Sequence, residues 1–307
     1  MTLMISREHV VIAEVRKCIT NNRVNSGDTD YDQQEQRNFN QTIRTMIRTL
    51  LVFSFAISVL FTMPNPVIRK SIGLPPQLLP KRPIVSSILN SVVMYWAALI
   101  IQHRHATTLT CIGTLLLGMR SKLRLLVHRY NRILAQPVIN EQEFFSNIGP
   151  EIRETLKNHV EYWRFLSHLK NLVGMSFALV HCCSILNTGI VLFVGKVNGI
   201  DFFSVALVFS ASFFMIEYLL LCRLVEGLQD EANKICYIIY ELCSKIPYSK
   251  EHHSTYVQLR STLMIAWVNT SNGIEMNCYG VLSISSITFV KLVNVTYSVL
   301  TFLVGFD

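Results

Sequence analysis

The clearest candidates for chemistry are three ionisable residues, His103, Arg104 and His105, that interrupt a long apolar segment of the chain. Burying charge in lipid is costly, so ionisable residues at membrane depth often mark functional sites. The two histidines lie two positions apart, about 200° around a helix, and do not share the face that a common metal ion requires. The cluster indicates either a tolerated group facing water or the protein interior, or a role in the electrostatics of a cavity or pore.

The remaining reactive residue types form no catalytic or metal-binding pattern. The sequence has no GxSxG, HExxH or P-loop motif, and His252 and His253 lie in a polar segment without Cys or carboxylate at metal-ligand spacing. The eight cysteines form no CxxC pair, and most fall in or beside apolar runs, where Cys packs as a small hydrophobe. We therefore expect neither an enzyme nor a bound metal or cofactor.

The overall composition is that of a membrane protein. Half of the 307 residues are hydrophobic, 16% are charged, and the mean hydropathy is +0.36. A soluble globule of this size would be covered in apolar surface. The net charge of +8 does not indicate nucleic-acid binding, because the basic residues lie between apolar runs rather than in one stripe with interleaved aromatics. Membrane lipid is the expected surrounding.

Five stretches are long and apolar enough to cross a bilayer as helices, which takes about 20 residues each. They span residues 45–63, 84–119, 165–194, 202–222 and 279–304. The second is too long for a perpendicular crossing and should tilt or project beyond the membrane. The sequence thus predicts an all-α, polytopic membrane helix bundle with about five transmembrane helices, and helix-compatible connections predict cytoplasmic extensions of the spans.

The distribution of basic residues predicts how the bundle is oriented. Of the 28 Lys and Arg residues, 21 lie in residues 1–48, 120–170 and 223–260, and five lie in the alternate connections. Because cytoplasmic loops retain positive charge, the first set should be cytoplasmic. We therefore predict a multi-pass plasma-membrane protein with a cytoplasmic arm over residues 1–44, a transmembrane domain over residues 45–305, and an extracellular C-terminus.

The last apolar stretch carries a recognisable motif. It contains Thr288-Phe289, then Lys291 and, three residues after that, Asn294, followed by Tyr297-Ser298 close to the C-terminus. This resembles insect odorant receptors, whose last helix has a Thr-Phe pair, a few aliphatics, often a Lys, and a Tyr-Ser step with almost no tail. Leu74-Pro75-Pro76 and residues 239–247 resemble further segments of the same family.

The chain also departs from the family pattern. Asn294 stands where a Lys is common, and Ser244 stands where an aromatic residue is common. The family has seven spans and this chain offers five, so the missing pair should be the first two. The five present keep the family's orientation, and we expect an N-terminally truncated product.

The resemblance implies an odorant receptor subunit that binds a small volatile organic ligand in olfactory sensory transduction. It also implies that the subunit gates a cation channel together with a co-receptor, in a heteromeric, tetrameric assembly. A gustatory receptor is one alternative, although that branch has a Gln-Phe pair where this chain has Leu303 and Val304. A transporter-like membrane protein without a gated pore is another, although no internal repeat is visible.

Two sets of site residues follow from the resemblance. A mostly apolar ligand cavity should lie between the external halves of the first, second and fourth spans, lined by Ser58, Phe61, Tyr95, Leu99, Phe203 and Leu207. A hydrophobic gate should lie on the last helix, formed by Thr296, Leu300, Leu303 and Val304. The alternative for both sets is ordinary helix packing, for which small and aliphatic residues at helical spacing are common.

Overall fold

The computed structural model describes residues 9–20, 24–62, 83–137, 141–198, 202–273, 275–278, 280 and 282–304. Some side chains within these helices also lie outside the described residues. The described part forms eight α-helices: α1 (His9–Thr20), α2 (Thr29–Thr62), α3 (Pro83–Ala135), α4 (Glu141–Glu143), α5 (Gly149–Asn198), α6 (Phe202–Lys245), α7 (His253–Gly273) and α8 (Ser286–Val304). A π-helical turn, Phe144–Ile148, joins α4 to α5. The predicted all-α class is confirmed.

The centre of the bundle is made by α3 and α6, two long helices that pack along each other. The buried side chains of α3 recur at alternating steps of three and four, the heptad spacing that aligns one apolar stripe with a partner helix: Leu109, Ile112, Leu116, Met119, Leu123, Leu126, Tyr130 and Ile133. The stripe of α6 has the same spacing: Leu221, Val225, Leu228, Ala232, Ile235, Ile239 and Leu242. The pairing of α3 and α6 therefore has the sequence signature of a coiled coil.

The other helices pack around this pair. The helix α2 lies along α3 and also contacts α6, while α5 contacts both α3 and α6. The short helix α1 packs on α5 and α3, and α7 packs on α6 and α5. The prediction that the spans continue as helices through the charged connections is confirmed, since α3 runs unbroken for 53 residues and α6 for 44.

The last helix begins at Ser286, later than the predicted boundary at position 279. A two-stranded antiparallel hairpin precedes it, with β1 (Asn277–Cys278) paired to β2 (Leu282–Ser283). Gly280 lies in the turn with a φ of +74°, a conformation that favours glycine. The chain therefore reverses its direction in this hairpin before the helix begins at Ser286.

Three described helical segments have the length and hydropathy of membrane spans: Thr29–Leu60, Phe144–Gly189 and Ser204–Lys245. They overlap the first, third and fourth predicted stretches. A shorter apolar segment, Ile84–Val93, opens the second stretch on α3. Several α3 side chains between positions 94 and 108, and those at the end of α8, lie outside the described residues. The count of five spans therefore stays a prediction.

Ion pairs tie the charged half of α3 to its neighbours. The Arg124 guanidinium donates to Glu231 of α6 at 3.0 Å and to Glu35 of α2 at 3.3 Å. Glu231 also accepts a hydrogen bond from Lys234 at 3.0 Å. Both carboxylates are almost fully buried, and a buried charge is tolerated when it is paired and hydrogen-bonded. This network therefore fixes the positions of α2, α3 and α6 around one guanidinium.

Candidate functional site

The helices that carry the predicted ligand residues do pack together. Ser58 on α2 is buried, and its hydroxyl donates to the carbonyl oxygen of Ser54 at 2.8 Å. Tyr95 on α3 is half-buried and its ring lies edge-on to Trp96, while Leu207 on α6 is half-buried. The three helices contact each other pairwise. The three helices named in the prediction thus pack together, and the shared cavity stays a prediction.

The other three predicted ligand residues are Phe61, Leu99 and Phe203. Their backbone positions lie in α2, α3 and α6, and their side chains lie outside the described residues. The side chains of His103, Arg104 and His105 also lie outside them. The hypotheses for both groups stay predictions.

A cleft of about 650 Å³ opens between α2 and α6, lined by residues that precede the predicted ligand residues on α2 and follow them on α6. Its α2 wall is polar at one end and apolar at the other, with side chains at helical spacing: Asn38, Gln41, Thr42, Thr45, Met46, Thr49, Leu50 and Phe53. Its α6 wall consists of Phe213, Ile216, Glu217 and Leu220, and Arg124 of α3 closes one end. The volume is in the range of sites for small molecules.

Glu217 is the unusual residue of this cleft. Its side chain is 1% exposed, and within the described part of the chain neither carboxylate oxygen has a hydrogen-bond partner. The guanidinium of Arg124, at the end of the cleft, already donates to Glu231 and Glu35. Buried polar groups are nearly always hydrogen-bonded, so an unpaired buried carboxyl calls for an explanation.

The first turn of α8 is held by a set of short contacts. The Ser285 hydroxyl accepts a hydrogen bond from the Thr288 amide at 3.3 Å, as a helix N-cap does. Glu226 of α6 accepts hydrogen bonds from the Ser286 amide at 2.6 Å and from the Ser286 hydroxyl at 2.7 Å. A carboxylate at this end also interacts favourably with the helix dipole. The start of α8 is therefore anchored directly to α6.

Beyond its first turn, α8 buries one narrow face. Thr288 and Leu292 are buried, and Phe289 lies against Tyr218 of α6, with ring centroids 5.9 Å apart. The rest of its described surface is largely apolar and exposed, with Ile287, Val290, Val293, Val295 and Tyr297 all at least 40% exposed. Thr296 is half-buried, and the side chains of Leu300, Leu303 and Val304 lie outside the described residues. The gate assignment therefore stays a prediction.

An aromatic cluster joins three helices behind α8. Tyr218 of α6 packs on Phe177 of α5 at 4.7 Å between ring centroids. Its hydroxyl is 3.1 Å from Nδ1 of His181, also on α5. Because Phe289 of α8 packs on the same tyrosine, Tyr218 connects α5, α6 and α8, and a movement of α8 would have to be accommodated at this ring.

Comparison with known proteins identifies the arrangement of helices. No protein-family model matches the sequence, and no match is found among curated proteins. The insect olfactory receptor OR5 from Machilis hrabei matches with a TM-score of 0.74 and 13% sequence identity, over 99% of this chain and 77% of that one. The same receptor in complex with eugenol matches with a TM-score of 0.66 and 13% identity, over 91% of this chain and 70% of that one. The chain has the fold of the insect olfactory receptors.

The olfactory-receptor fold confirms the resemblance seen in the last apolar stretch. The resemblance also implies a helical anchor, formed by the two charged connections and residues 234–267, that holds subunits together, with Leu228, Ile235, Ile238 and Ile239 as candidate buried positions. Their burial is confirmed, since each is at most 6% exposed. They face the interior of the subunit itself, however, because they lie on the α6 stripe and beside it. The anchoring role of this segment stays a prediction.

Several residues of the site escaped the sequence-based predictions. Glu217 was detectable, because it is the sole Asp, Glu, Lys, Arg or His in the predicted span 202–222 and such residues mark functional sites. Glu226 and Tyr218 carried no such signal. Glu226 lies among other charged residues, and its contact with Ser286 joins positions 60 residues apart in the sequence.

Proposed function

We propose that this chain is an odorant receptor subunit that binds a small volatile organic ligand and gates a cation channel in the plasma membrane. The observation that carries the proposal is the olfactory-receptor fold over 99% of the chain, together with the Thr-Phe and Tyr-Ser steps of α8. One structural neighbour was solved in complex with eugenol, a small organic molecule of the kind proposed here.

The proposed odorant cavity lies between the external halves of α2, α3 and α6. Ser58, Tyr95 and Leu207 are the described members of its lining, and all three are buried or half-buried. Their chemistry, one hydroxyl and one phenol among apolar groups, suits a volatile molecule with a few polar atoms. The N-terminal arm is proposed to be cytoplasmic because of the excess of basic residues on that side.

The proposed ion pathway follows α8. Thr296, Leu300 and Val304 are spaced by four and share one face of this helix, with Leu303 beside them. A ring of such aliphatic side chains from several subunits closes a pore by dewetting, and a modest outward movement opens it. The anchored first turn at Glu226 supports a movement in which the far end of α8 is displaced more than its start.

Assembly with a co-receptor needs an exposed apolar surface outside the membrane, and α6 and α7 provide one. The side chains of Tyr237, Tyr240, Met264, Ile265 and Val268 are each more than a third exposed. Aromatic residues and Met are enriched at protein interfaces. We assign the contact with neighbouring subunits in a heteromeric channel to this α6–α7 face.

Whole-cell current recording tests the proposed function. Cells that express the chain with the co-receptor should give odorant-evoked cation currents with some members of an odorant panel. Cells that express the co-receptor alone should not respond to the same odorants. If the two sets of cells give identical currents across the panel while both proteins reach the cell surface, the chain is not a functional odorant receptor subunit.

A further inference from the structure

One side of α2 carries a row of arginines that leads into exposed apolar side chains. Arg37, Arg44 and Arg48 are all exposed, and Leu51 and Phe55 are 50% and 60% exposed. At about 100° per residue, the five side chains fall within about 60° of one another around the helix. The three arginines form the α2 basic stripe, and the two apolar residues continue it toward the middle of the predicted span.

The α2 basic stripe faces away from the subunit. Leu50 and Ile57, which are buried against the rest of the bundle, lie about 140° around the helix from it. The helix itself does not balance the charge of the stripe, because the sequence contains no Asp or Glu between Glu35 and the end of α2 at Thr62. Glu35 already accepts a hydrogen bond from Arg124 at 3.3 Å. The stripe therefore presents three positive charges to the surroundings of the subunit.

The stripe lies where α2 enters the predicted membrane span. The span begins at position 45, so Arg44 and Arg48 are within about 5 Å of its start along the helix axis, whereas Leu51 and Phe55 are about 9 and 15 Å inside it. By the predicted orientation this boundary faces the cytoplasmic leaflet, whose anionic lipids attract basic residues close to the surface. Charged and apolar groups thus follow one another on α2 in the order in which a phospholipid carries its headgroup and acyl chains.

We propose that the α2 basic stripe binds an anionic phospholipid of the cytoplasmic leaflet. The guanidiniums of Arg44 and Arg48, one helical turn apart, donate to the phosphate oxygens, and Arg37 adds to the attraction from the aqueous side. The acyl chains lie along Leu51 and Phe55. A zwitterionic lipid carries a cationic group that cancels the charge of its phosphate, so the stripe selects headgroups by net charge. The proposal rests on the membrane placement of α2 and not on channel function.

Native mass spectrometry of the purified chain tests the proposal. The chain is released from dodecylmaltoside micelles that contain equal amounts of dioleoylphosphatidylglycerol and dioleoylphosphatidylcholine, which share their acyl chains and differ in net charge. Wild type should retain more phosphatidylglycerol than phosphatidylcholine. The double variant Arg44→Gln with Arg48→Gln should lower this preference about tenfold, because two of the charges that attract the anionic lipid are removed.

The matched control is the double variant Arg153→Gln with Lys157→Gln. These two residues are exposed on α5 at the same spacing of four, and they lie about 18 and 12 Å before the predicted span that begins at position 165. The control removes the same charge and should keep the wild-type preference. If it lowers the preference as much as the α2 double variant does, the net charge of the chain attracts the lipid and the α2 basic stripe is not a site.

Three other outcomes would overturn the proposal. The first is a wild-type preference in the α2 double variant. The second is displacement of phosphatidylglycerol by an equal concentration of glycerol 3-phosphate, which has the phosphate without acyl chains and would show that the stripe binds free phosphate. The third is a dimer that the α2 double variant converts into a monomer at unchanged lipid preference, which would show that the stripe joins two copies of the chain. Because no current is measured, none of these outcomes bears on the proposed channel function.

Discussion

Two regions of the bundle carry rows of apolar side chains and differ in what covers them. In the paired stripes of α3 and α6, side chains such as Leu116, Leu123 and Ile235 are completely buried within the subunit. At the start of α3, Ile84 and Ile88 are 74% and 60% exposed. The first region provides its own apolar surroundings, whereas the second needs lipid or a neighbouring subunit.

The neighbouring charges explain this difference. The buried stripe of α3 alternates with Arg120, Arg124 and Arg129, which pair with carboxylates of α2, α5 and α6. Residues 84–100 of α3 contain no charged residue at all. A helix that is apolar on one stripe and charged elsewhere is amphipathic and faces water, while one that is apolar all round lies in a membrane or a large core. This difference supports the prediction that the packed region extends beyond the bilayer, as does the length of α3.

The largest expected effect is the loss of the packed region by Ile235→Asp. This change buries an unpaired charge in the α6 stripe and should cost more than about 4 kcal/mol, enough to abolish the folded subunit. Fluorescence-detected size-exclusion chromatography should show aggregate or no protein.

The matched variant for this comparison is Ile265→Asp, on the exposed α6–α7 face. Ile265 is 61% exposed, so the variant should remain monodisperse and lose co-purification with the co-receptor. If Ile235→Asp is monodisperse, the α6 stripe is not the core described here. If Ile265→Asp still captures the co-receptor fully, the α6–α7 face is not the subunit interface.

A milder substitution, to alanine, in each of the two apolar regions distinguishes them by its effect on the free energy of unfolding. Leu116→Ala leaves a cavity in the packed stripe and should destabilise the subunit by about 2–5 kcal/mol. Ile88→Ala removes a side chain that is already 60% exposed and should change the free energy of unfolding by less than about 1 kcal/mol. Thermal unfolding in one detergent compares both variants with wild type. Equal losses would mean that the start of α3 is also packed within the subunit.

A smaller effect is expected where the packed region meets α8. Glu226→Gln keeps the length of the side chain and removes the charge at the start of α8. The loss of a charge-assisted hydrogen bond and of the dipole interaction should cost about 1–2 kcal/mol. Glu241→Gln is the control, because it breaks an exposed i, i+4 pair with Lys245 worth under about 0.5 kcal/mol. If the unfolding temperatures of both variants are equal, Glu226 does not anchor α8.

How far the sequence predicted the molecule depends on the range of the interactions involved. The helices were predictable because the length of an apolar run and the spacing of its residues are local properties. This holds for α3 and α6, although the sequence did not predict their full lengths. The hairpin before α8 was missed because its strands have two residues each and its signal is a single glycine, Gly280. The cleft was missed because it needs the relative placement of α2 and α6, although Glu217 alone was visible as an acid in an apolar run.

The smallest effect on stability is expected for Leu300→Ser, because the proposal places Leu300 on the pore rather than in the subunit core. A ring of aliphatic side chains from several subunits excludes water from a narrow pore, so a hydroxyl at this position should make it easier for water to enter the pore. In heteromers with the co-receptor, the variant should raise the ligand-free current or alter ion selectivity, with surface expression near wild type. Leu292→Ser is the control on the same helix: Leu292 is 4% exposed, and this change should lower the unfolding temperature instead. If Leu300→Ser rests and conducts like wild type, this face of α8 does not form the gate.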